Sequence, residues 1–510
     1  MPTQPDPLPR PLDHLALRGA DGDAALVLRG NGIGRVLDFS TLRERVALLA
    51  GWLATQVPEK GARVASWAGK GEATCLLPLA TARAGLVHVP INPLLKRAQA
   101  AHILADSGAS LLVGNAARLG SLEAGDVSPA CVLLEESELW AAAERSGERL
   151  GPSQAAPDQL AAILYTSGST GRPKGVMLSH ANLWLGAASV AHYLKLMADD
   201  VVLAVLPLSF DYGQNQLLSA WHAGASVVPL DYLTPRDVIK ACARHRVTTL
   251  AAVPPLWVQL AEHDWPPEAA APLRRLTNSG GALTEPLVRR LRRLFPEADL
   301  YPMYGLTEAF RSTFLEPALV DAHPTSIGRE VPFAEVLVVD DDGAPVAPGE
   351  EGEGGELVHC GPLVAQGYWR DPERTAERFR PAPSYSRYGG TAVWSGDRVR
   401  RDGEGLLHFV GRRDAMIKSM GHRISPQEIE EAVLATGLAS EAAAFGVPDP
   451  RMGQAVHLVV RGQGDVVALG EALRRALPGF MQPQRIRFVE AMPLGPNGKI
   501  DRVALAEQAS

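Results

Sequence analysis

A loop rich in glycine, serine and threonine follows an apolar run and carries residues suited to bind phosphate. Its sequence is YTSGSTGRPKGV, at residues 165–176. Glycines let backbone N–H groups approach an anion, while hydroxyl groups donate hydrogen bonds and a lysine adds positive charge. We predict that the loop binds phosphate through Thr166, Ser167, Gly168, Ser169, Thr170, Gly171 and Lys174.

This loop differs from the phosphate loop of kinases and GTPases. The Walker pattern G-x-x-x-x-G-K-[ST] requires a glycine directly before the lysine, and Pro173 stands there instead. The sequence therefore argues against a P-loop kinase or GTPase.

Four further segments follow the loop in a fixed order. They are MYGLTEA (303–309), SGD (395–397), GRRDAMIKSMGHRISPQEIE (411–430) and PLGPNGKIDR (493–502). Together with the loop, this set resembles the adenylate-forming superfamily of acyl-CoA synthetases, peptide-synthetase adenylation domains and luciferases. The chain departs from the family pattern at Ser395, where a threonine is usual. The resemblance extends in part to the AMP-forming ligases associated with exosortase A systems.

The resemblance implies a reaction in two steps. A carboxylate attacks the α-phosphate of ATP to give an acyl-adenylate and pyrophosphate, and a thiol then takes the acyl group and releases AMP. The implied cofactors are ATP and Mg²⁺, and the implied acceptor is CoA or the phosphopantetheine of a free-standing carrier protein. Because two anions must meet, positive charge and hydrogen-bond donors have to surround the transition state.

The resemblance to the family motifs implies roles for particular residues. Glu308 would bind Mg²⁺, because a hard cation prefers a carboxylate together with phosphate oxygens. Thr307 would donate a hydrogen bond to the α-phosphate. The AMP moiety would contact five residues, with Gly281, Ala282 and Tyr304 at the adenine and Asp397 and Arg412 at the ribose.

The C-terminal segment would supply the catalytic lysine and a hinge. Lys499 leaves a predicted tight turn at Asn497-Gly498 and would bridge the substrate carboxylate and the α-phosphate. Asp414 would be the hinge about which the C-terminal domain rotates between the two steps. Gly421 would line the tunnel for the pantetheine arm after that rotation.

The substrate acid is ambiguous in the sequence. Phe210-Asp211 matches amino-acid-activating domains, in which the aspartate pairs with the α-ammonium group of the substrate. The same comparison places Tyr212, Asn215, Met303 and Arg311 on the pocket wall. We expect an amino acid or an amino-acid-like substrate, with a fatty or organic acid as the alternative. Arg311 could bind a second carboxylate of the substrate, or it could pair with Asp211 and remove the argument for an amino acid.

The surrounding elements indicate layered α/β architecture. Apolar runs at 160–166, 201–208, 225–230 and 248–253 predict buried strands, and amphipathic segments at 180–197 and 255–263 predict helices. The sequence from about 325 to 410 predicts a β-rich subdomain. Residues 1–413 would form the large N-terminal domain, and 414–510 a small mobile α+β lid in which Ser425 and Glu428 form a helix capping box.

Composition and net charge limit the cellular location and the kinds of partner that we expect for this protein. The chain has 510 residues, a net charge of −7 and four scattered cysteines. These features predict a cytoplasmic protein with no nucleic-acid partner and no membrane insertion. The resemblance implies a small carboxylic or amino acid as substrate. A catalytically inactive nucleotide-binding relative is the rival class, and the complete set of motif residues argues against it.

Overall fold

The computed structural model describes residues 5–28, 34–166, 173–349, 354–412, 416–419, 422–449, 452–462 and 464–508. Its strands are β1 (Ala24–Leu28), β2 (Arg35–Asp38), β3 (Arg63–Trp67), β4 (Val87–Pro90), β5 (Leu111–Gly114), β6 (Val132–Glu135), β7 (Leu160–Thr166), β8 (Lys174–Ser179), β9 (Val201–Ala204), β10 (Ser226–Pro229), β11 (Thr249–Ala252), β12 (Arg275–Asn278), β13 (Asp299–Tyr304), β14 (Thr313–Phe314), β15 (Ser326–Glu330), β16 (Glu335–Val339), β17 (Gly355–Cys360), β18 (Phe379–Pro381), β19 (Thr391–Arg401), β20 (Leu407–Arg412), β21 (Ile417–Ser419), β22 (His422–Ile424), β23 (Glu441–Asp449), β24 (Gly453–Arg461) and β25 (Arg485–Val489).

The α-helices lie mostly between consecutive strands. They are α1 (Phe39–Gln56), α2 (Glu72–Ala84), α3 (Arg97–Ser107), α4 (Ala116–Leu119), α5 (Glu136–Ser146), α6 (His180–Tyr193), α7 (Asp211–His222), α8 (Pro235–His245), α9 (Pro254–Ala261), α10 (Pro267–Ala270), α11 (Glu285–Leu294), α12 (Pro372–Arg378), α13 (Pro426–Ala435), α14 (Val466–Ala476) and α15 (Arg502–Glu507). Short 3-10 turns cover Leu12–Leu17, Thr307–Ala309, Pro317–Leu319 and Gly479–Met481.

Two large sheets build the N-terminal part of the chain, and this α/β architecture confirms the predicted fold class. One has six strands in the order β6-β5-β3-β4-β7-β8, parallel except for the β7–β8 hairpin. The other runs β16-β17-β19-β20-β15-β14-β13-β12-β11-β9-β10-β1-β2, with β18 pairing β19. Its central strands from β13 to β1 are parallel, which buries both faces under helices.

The predicted β-rich region belongs to the second large sheet. Strands β15 to β20 are antiparallel to one another and continue the parallel strands through β14. The antiparallel part therefore extends the same sheet.

The C-terminal sheet is separate and has the order β22-β21-β24-β23, with β25 parallel to β24. Helices α13 and α14 pack on an apolar cluster that includes Ile429 and Leu473, and Leu505 of α15 belongs to a second cluster. This small α+β unit agrees with the predicted lid. The predicted boundary at 413/414 lies outside the described residues.

Two local predictions are wrong. Helix α6 ends at Tyr193 rather than at 197, because Lys195 has a left-handed φ of 53° and buried Asp200 accepts a hydrogen bond from the Met197 N–H. Ser425 is the N-cap of α13 but makes no side-chain cap bond, so the capping box is absent. Its hydroxyl instead donates to the Val410 carbonyl at 2.5 Å and links the start of the lid helix to β20.

No helix among the described residues is both long enough and apolar enough to cross a membrane.

Candidate active site

The predicted phosphate loop closes the hairpin between β7 and β8. Thr166 and Lys174 face each other in the last register pair of that hairpin. The Thr166 hydroxyl is buried and has no hydrogen-bond partner among the described residues, so it remains available to a ligand. Ser167, Gly168, Ser169, Thr170 and Gly171 lie outside the described residues.

Lys174 meets Glu308 and Tyr368 in a compact polar cluster. The Lys174 ammonium donates to Glu308 Oε1 at 3.0 Å and to the Tyr368 hydroxyl at 2.6 Å, and Tyr368 donates to the same Glu308 oxygen at 2.7 Å. Burial alone would raise the pKa of Glu308, but the positive charge of Lys174 and these hydrogen bonds outweigh it and lower the pKa. Glu308 is therefore a carboxylate, the form that a magnesium ion requires.

Tyr368 was not among the residues predicted from the motifs. It lies in the segment QGYW, between β17 and α12 within the β-rich region, and belongs to none of the five motifs. The Tyr368 N–H donates to the Thr375 hydroxyl at 2.9 Å, and the Trp369 N–H donates to the Gly175 carbonyl at 2.8 Å. These bonds dock the segment against β8 and aim the phenol at Lys174.

Replacing Tyr368 with phenylalanine should weaken the first step about tenfold, mainly through a higher KM for MgATP. The change removes one hydrogen bond to a buried carboxylate and one to the lysine, which are charge-assisted and worth about 1.5–3 kcal/mol together. The measurement is pyrophosphate exchange as a function of MgATP concentration. Tyr385→Phe is the control, because its exposed hydroxyl contacts only the Gly343 carbonyl at 3.3 Å. Equal effects of the two variants would contradict the role given to Tyr368.

Asp211 and Arg311 form a buried ion pair. Arg311 Nη1 donates to Asp211 Oδ2 at 3.4 Å, with 2% of the arginine side chain and 4% of the aspartate side chain exposed. The Thr307 hydroxyl donates to Asp211 Oδ1 at 3.2 Å. Asp211 is the first residue of α7, where the helix dipole favours a negative charge.

Backbone strain at Phe310 turns Arg311 towards the pocket. Phe310 follows the 3-10 turn Thr307–Ala309 and has φ 52° and ψ −47°, which is rare for a residue other than glycine. Its fully buried ring packs against Gly186, where an added Cβ would lie only 2.2 Å from Phe310 Cδ1. The tight packing of the ring holds the strained turn and so fixes the direction of the arginine.

The predicted pocket residues line one small cavity. Tyr212, Asn215, Met303 and Arg311 belong to its wall, and Asp211 does not. The cavity measures about 20 Å³, room for roughly one water molecule. The rest of the wall mixes apolar residues with polar ones: Val190, Leu194, Leu196, Val202 and Ala251 with Gln216, Ser219, Thr249 and Thr277.

Tyr304, Asp397 and Arg412 come together at the edge where β13, β19 and β20 meet. The Tyr304 hydroxyl donates to Asp397 Oδ2 at 2.5 Å, and Arg412 Nε lies 3.5 Å from Asp397 Oδ1. Burial and the nearby aspartate raise the pKa of Tyr304 well above its ordinary value, so the phenol keeps its proton. Gly281 and Ala282 lie between β12 and α11 and are exposed.

Ser395 stands where the family usually has a threonine, and its hydroxyl hydrogen-bonds to backbone groups. Its hydroxyl donates to the Leu357 carbonyl at 2.5 Å and accepts the Asp397 N–H at 3.0 Å. A serine hydroxyl makes both bonds, so this departure from the family pattern leaves Asp397 in place.

Sequence reasoning also missed His359, which stands behind Tyr304. The two rings are stacked with centroids 6.0 Å apart. Burial lowers the pKa of His359 to about 3, helped by the charge of Arg378, so the imidazole is neutral. Nothing in the spacing of the motifs points to this contact, because His359 lies inside an ordinary β-strand.

Lys499 reaches the same cleft from the C-terminal unit. Its ammonium lies 5.1 Å from the centre of the Phe210 ring, and its Cε lies 2.8 Å from where a Cβ on Gly280 would stand. The residue as a whole is exposed to the open cleft, yet burial of the ammonium lowers the pKa of Lys499, an effect that Asp211 opposes. The lysine therefore lies near the charges of Asp211 and Arg311 and near those of Asp397 and Arg412. Asp414 and Gly421 lie outside the described residues.

Comparisons with known proteins agree with this arrangement. The AMP-binding enzyme family matches residues 13–369, and the AMP-binding enzyme C-terminal domain matches residues 428–499. The feruloyl-CoA synthase of an Amycolatopsis species is 33% identical over 479 residues, covering 92% of this chain and 93% of that protein. The L-proline–(L-prolyl-carrier protein) ligase of Pseudomonas fluorescens is 30% identical, covering 92% of this chain and 94% of that protein.

Among solved structures, ATP-bound MatB from Rhodopseudomonas palustris aligns with a TM-score of 0.88 at 26% identity, over 98% of this chain and 99% of that one. The apo form of MatB aligns with a TM-score of 0.77. The arrangement of this chain is thus more similar to the ATP-bound form than to the apo form.

Proposed function

The chain belongs to the AMP-binding enzyme family and is an AMP-forming acid–thiol ligase, and we propose that it activates a carboxylic acid without an α-ammonium group. Enzymes of this class use ATP to convert an acid to its adenylate and then pass the acyl group to a thiol. The proposal concerns which acid enters the pocket and which residues act on it.

The ion pair between Asp211 and Arg311 carries the proposal. The argument for an amino acid required a buried carboxylate that still needed a cation. Arg311 supplies that cation from within the protein, at 3.4 Å and almost without solvent exposure. An α-ammonium group would then have to lose its hydration shell beside a carboxylate that is already paired, which is unfavourable.

The phosphate side of the cleft suits the roles predicted from the motifs. Thr166 and Lys174 stand at the two ends of the predicted phosphate loop, from which they would hold the β- and γ-phosphates together with Ser167–Gly171. Thr307 has one hydroxyl proton, which it now gives to Asp211. To donate to the α-phosphate, as we propose, its hydroxyl would rotate away and leave Arg311 as the main partner of Asp211.

Glu308 suits the binding of Mg²⁺. No group of three or more His, Cys, Asp or Glu side chains in the described part of the chain forms a metal cage. A magnesium ion needs only one or two carboxylates when substrate phosphates complete its shell, and Glu308 is ionised and lies beside the phosphate loop. When bound, the ion would neutralise phosphate charge, while Lys174 and Tyr368 hold the carboxylate in place.

The remaining roles follow the motifs. Asp397 and Arg412 would bind the ribose, and Gly281, Ala282 and Tyr304 would surround the adenine. Lys499 would bring its ammonium between the substrate carboxylate and the α-phosphate, where two negative charges approach each other. Asp414 as hinge and Gly421 in the thiol tunnel remain predictions, as does the choice between CoA and a carrier protein.

An amino acid is the second candidate substrate. The pattern Phe210-Asp211 and the similarity to the L-proline–(L-prolyl-carrier protein) ligase favour it. The similarity to a feruloyl-CoA synthase, whose name indicates an acid without an amino group, favours the first candidate. The ion pair decides our preference between them.

Matched pairs of acids test the choice of substrate. Three pairs differ only by the α-amino group: butyrate and 2-aminobutyrate, hexanoate and norleucine, 3-phenylpropanoate and phenylalanine. In a fourth pair, cyclopentanecarboxylate and proline, a ring methylene takes the place of the ring nitrogen. Ferulate and cinnamate extend the aryl series. We expect the acid that lacks the amine to support ATP–pyrophosphate exchange with a kcat/KM roughly tenfold or more above that of its partner. The reason is the desolvation cost of the ammonium group. Preference for an amino acid would overturn the proposal while keeping the ligase activity.

A further inference from the structure

We infer that Asn92 is a positioning residue for Lys499: it holds the turn that carries the lysine against the large domain during the adenylate-forming step. Asn92 follows β4 and is 5% exposed. Its Nδ2 donates to the Pro496 carbonyl at 2.9 Å and to Asn497 Oδ1 at 3.0 Å. Both N–H groups of the amide are thus used on the C-terminal unit. The inference rests on the proposed function only in taking Lys499 as the residue that acts on the acid and ATP.

The orientation of the Asn92 side chain is fixed by its own loop. Its Oδ1 accepts the Leu94 N–H at 2.9 Å. Turning the amide over would place two N–H groups against each other and an oxygen against the Pro496 carbonyl. The donor end of the amide must therefore face the turn.

The turn that receives these bonds is rigid. Gly495 N–H donates to the Lys499 carbonyl at 2.7 Å, and Gly498 N–H donates to the Gly495 carbonyl at 2.9 Å. Gly498 has φ 74°, which a side chain would disfavour. Because the backbone is closed on itself between 495 and 499, fixing its tip at Pro496 and Asn497 also fixes the base of the Lys499 side chain.

The lysine has little else to hold it. None of the described residues hydrogen-bonds to its ammonium, which lies over the face of the Phe210 ring and beside Gly280. A salt bridge between Arg461 and Glu262, at 2.9 Å, also joins the C-terminal unit to the large domain, but it lies on a strand outside the lysine turn. Asn92 hydrogen-bonds the turn itself, where the Val253 side chain also packs against Gly498.

Asn92→Asp tests this role with almost no change of shape. The aspartate still accepts the Leu94 N–H, but it presents an oxygen in place of the amide to two acceptors on the turn. Asn115→Asp is the matched control: Asn115 caps α4 by accepting the Arg118 N–H at 2.9 Å, and aspartate caps equally well. Glu262→Gln serves as a second control, because it loosens domain docking away from Lys499.

The first readout needs no acid substrate. Hydrogen exchange at the Gly495 and Gly498 amides should accelerate about tenfold in Asn92→Asp and remain unchanged in Asn115→Asp. Unchanged protection in Asn92→Asp would overturn the inference.

The second readout separates the two half-reactions, using whichever acid of the matched panel the wild-type enzyme exchanges. We expect Asn92→Asp to slow pyrophosphate exchange about tenfold to a hundredfold, since misplacing a catalytic group by about 1 Å costs up to that much. Thioester formation from a supplied acyl-adenylate should stay within about twofold of wild type, because misplacing Lys499 affects the first step only. Equal loss in both steps, or loss as large in Glu262→Gln, would overturn the inference. Exchange with an amino acid would change the proposed substrate but leave this comparison intact.

Discussion

Lys499→Ala is expected to abolish adenylate formation while sparing transfer of the acyl group from a supplied acyl-adenylate to a thiol. The C-terminal unit brings this ammonium to the space beside Phe210 and Gly280. Removing a positive charge from the point where a carboxylate meets an α-phosphate costs on the order of 100- to 1000-fold in rate. The second step needs no such bridge, because the adenylate is already formed.

The measurement pairs ATP–pyrophosphate exchange with thioester formation from a synthetic adenylate. Lys240→Ala is the matched control, since Lys240 is an exposed lysine on α8 far from the cleft. Exchange that survives in Lys499→Ala would contradict the mechanism, and loss of both half-reactions would assign the lysine a structural role.

The pH dependence of adenylate formation is a second test of the role proposed for Lys499. Burial lowers the pKa of Lys499 below its ordinary value, so the free enzyme loses this charge at a lower pH than a free lysine would. The kcat/KM for exchange should therefore decline on the alkaline side below about pH 10.4, the usual lysine pKa. Lys499→Arg should be less active than the wild type, and its residual activity should not show this alkaline decline. The reason is that a guanidinium stays charged throughout that pH range.

The ordered motifs made the fold class and the family predictable from the sequence. Both depend on local patterns: apolar runs of strand length, helices between them, and glycine-rich loops at their ends. Element ends were less predictable. Ser425 and Glu428 have the spacing of a capping box, yet the hydroxyl bonds Val410 of β20, a partner that helix-capping rules do not include.

Contacts between distant parts of the chain were the least predictable. Tyr368 lies 194 residues from Lys174, and Asn92 lies 405 residues from Asn497. Neither stands in a motif, and each acts only because the fold brings two loops together. Whether Arg311 faces Asp211 or the substrate was likewise open, since the answer depends on the strained backbone of Phe310 and its packing against Gly186.

Arg311→Met is expected to destabilise the protein and shift its substrate preference, because it leaves Asp211 buried without its cation. Removing one member of a buried ion pair typically costs about 3–5 kcal/mol of unfolding free energy, most of it for the stranded charge. Thr307 would remain as a hydrogen-bond partner of Asp211, at 3.2 Å. The bare carboxylate would then favour an α-ammonium group, and exchange with amino acids should rise relative to exchange with their deaminated partners.

The double variant Asp211→Asn/Arg311→Met is the decisive comparison. It removes both charges, so most of the lost stability should return, and the preference for amino acids should disappear with the carboxylate. Thermal unfolding midpoints and exchange with the matched acid pairs measure the two effects on the same proteins. If Asp211→Asn alone abolished exchange with an amino acid that the wild-type enzyme uses, Asp211 would be the ammonium anchor after all. If Arg311→Met were as stable as wild type, the guanidinium would not be the partner that neutralises Asp211, and the argument from the ion pair to the substrate would fail.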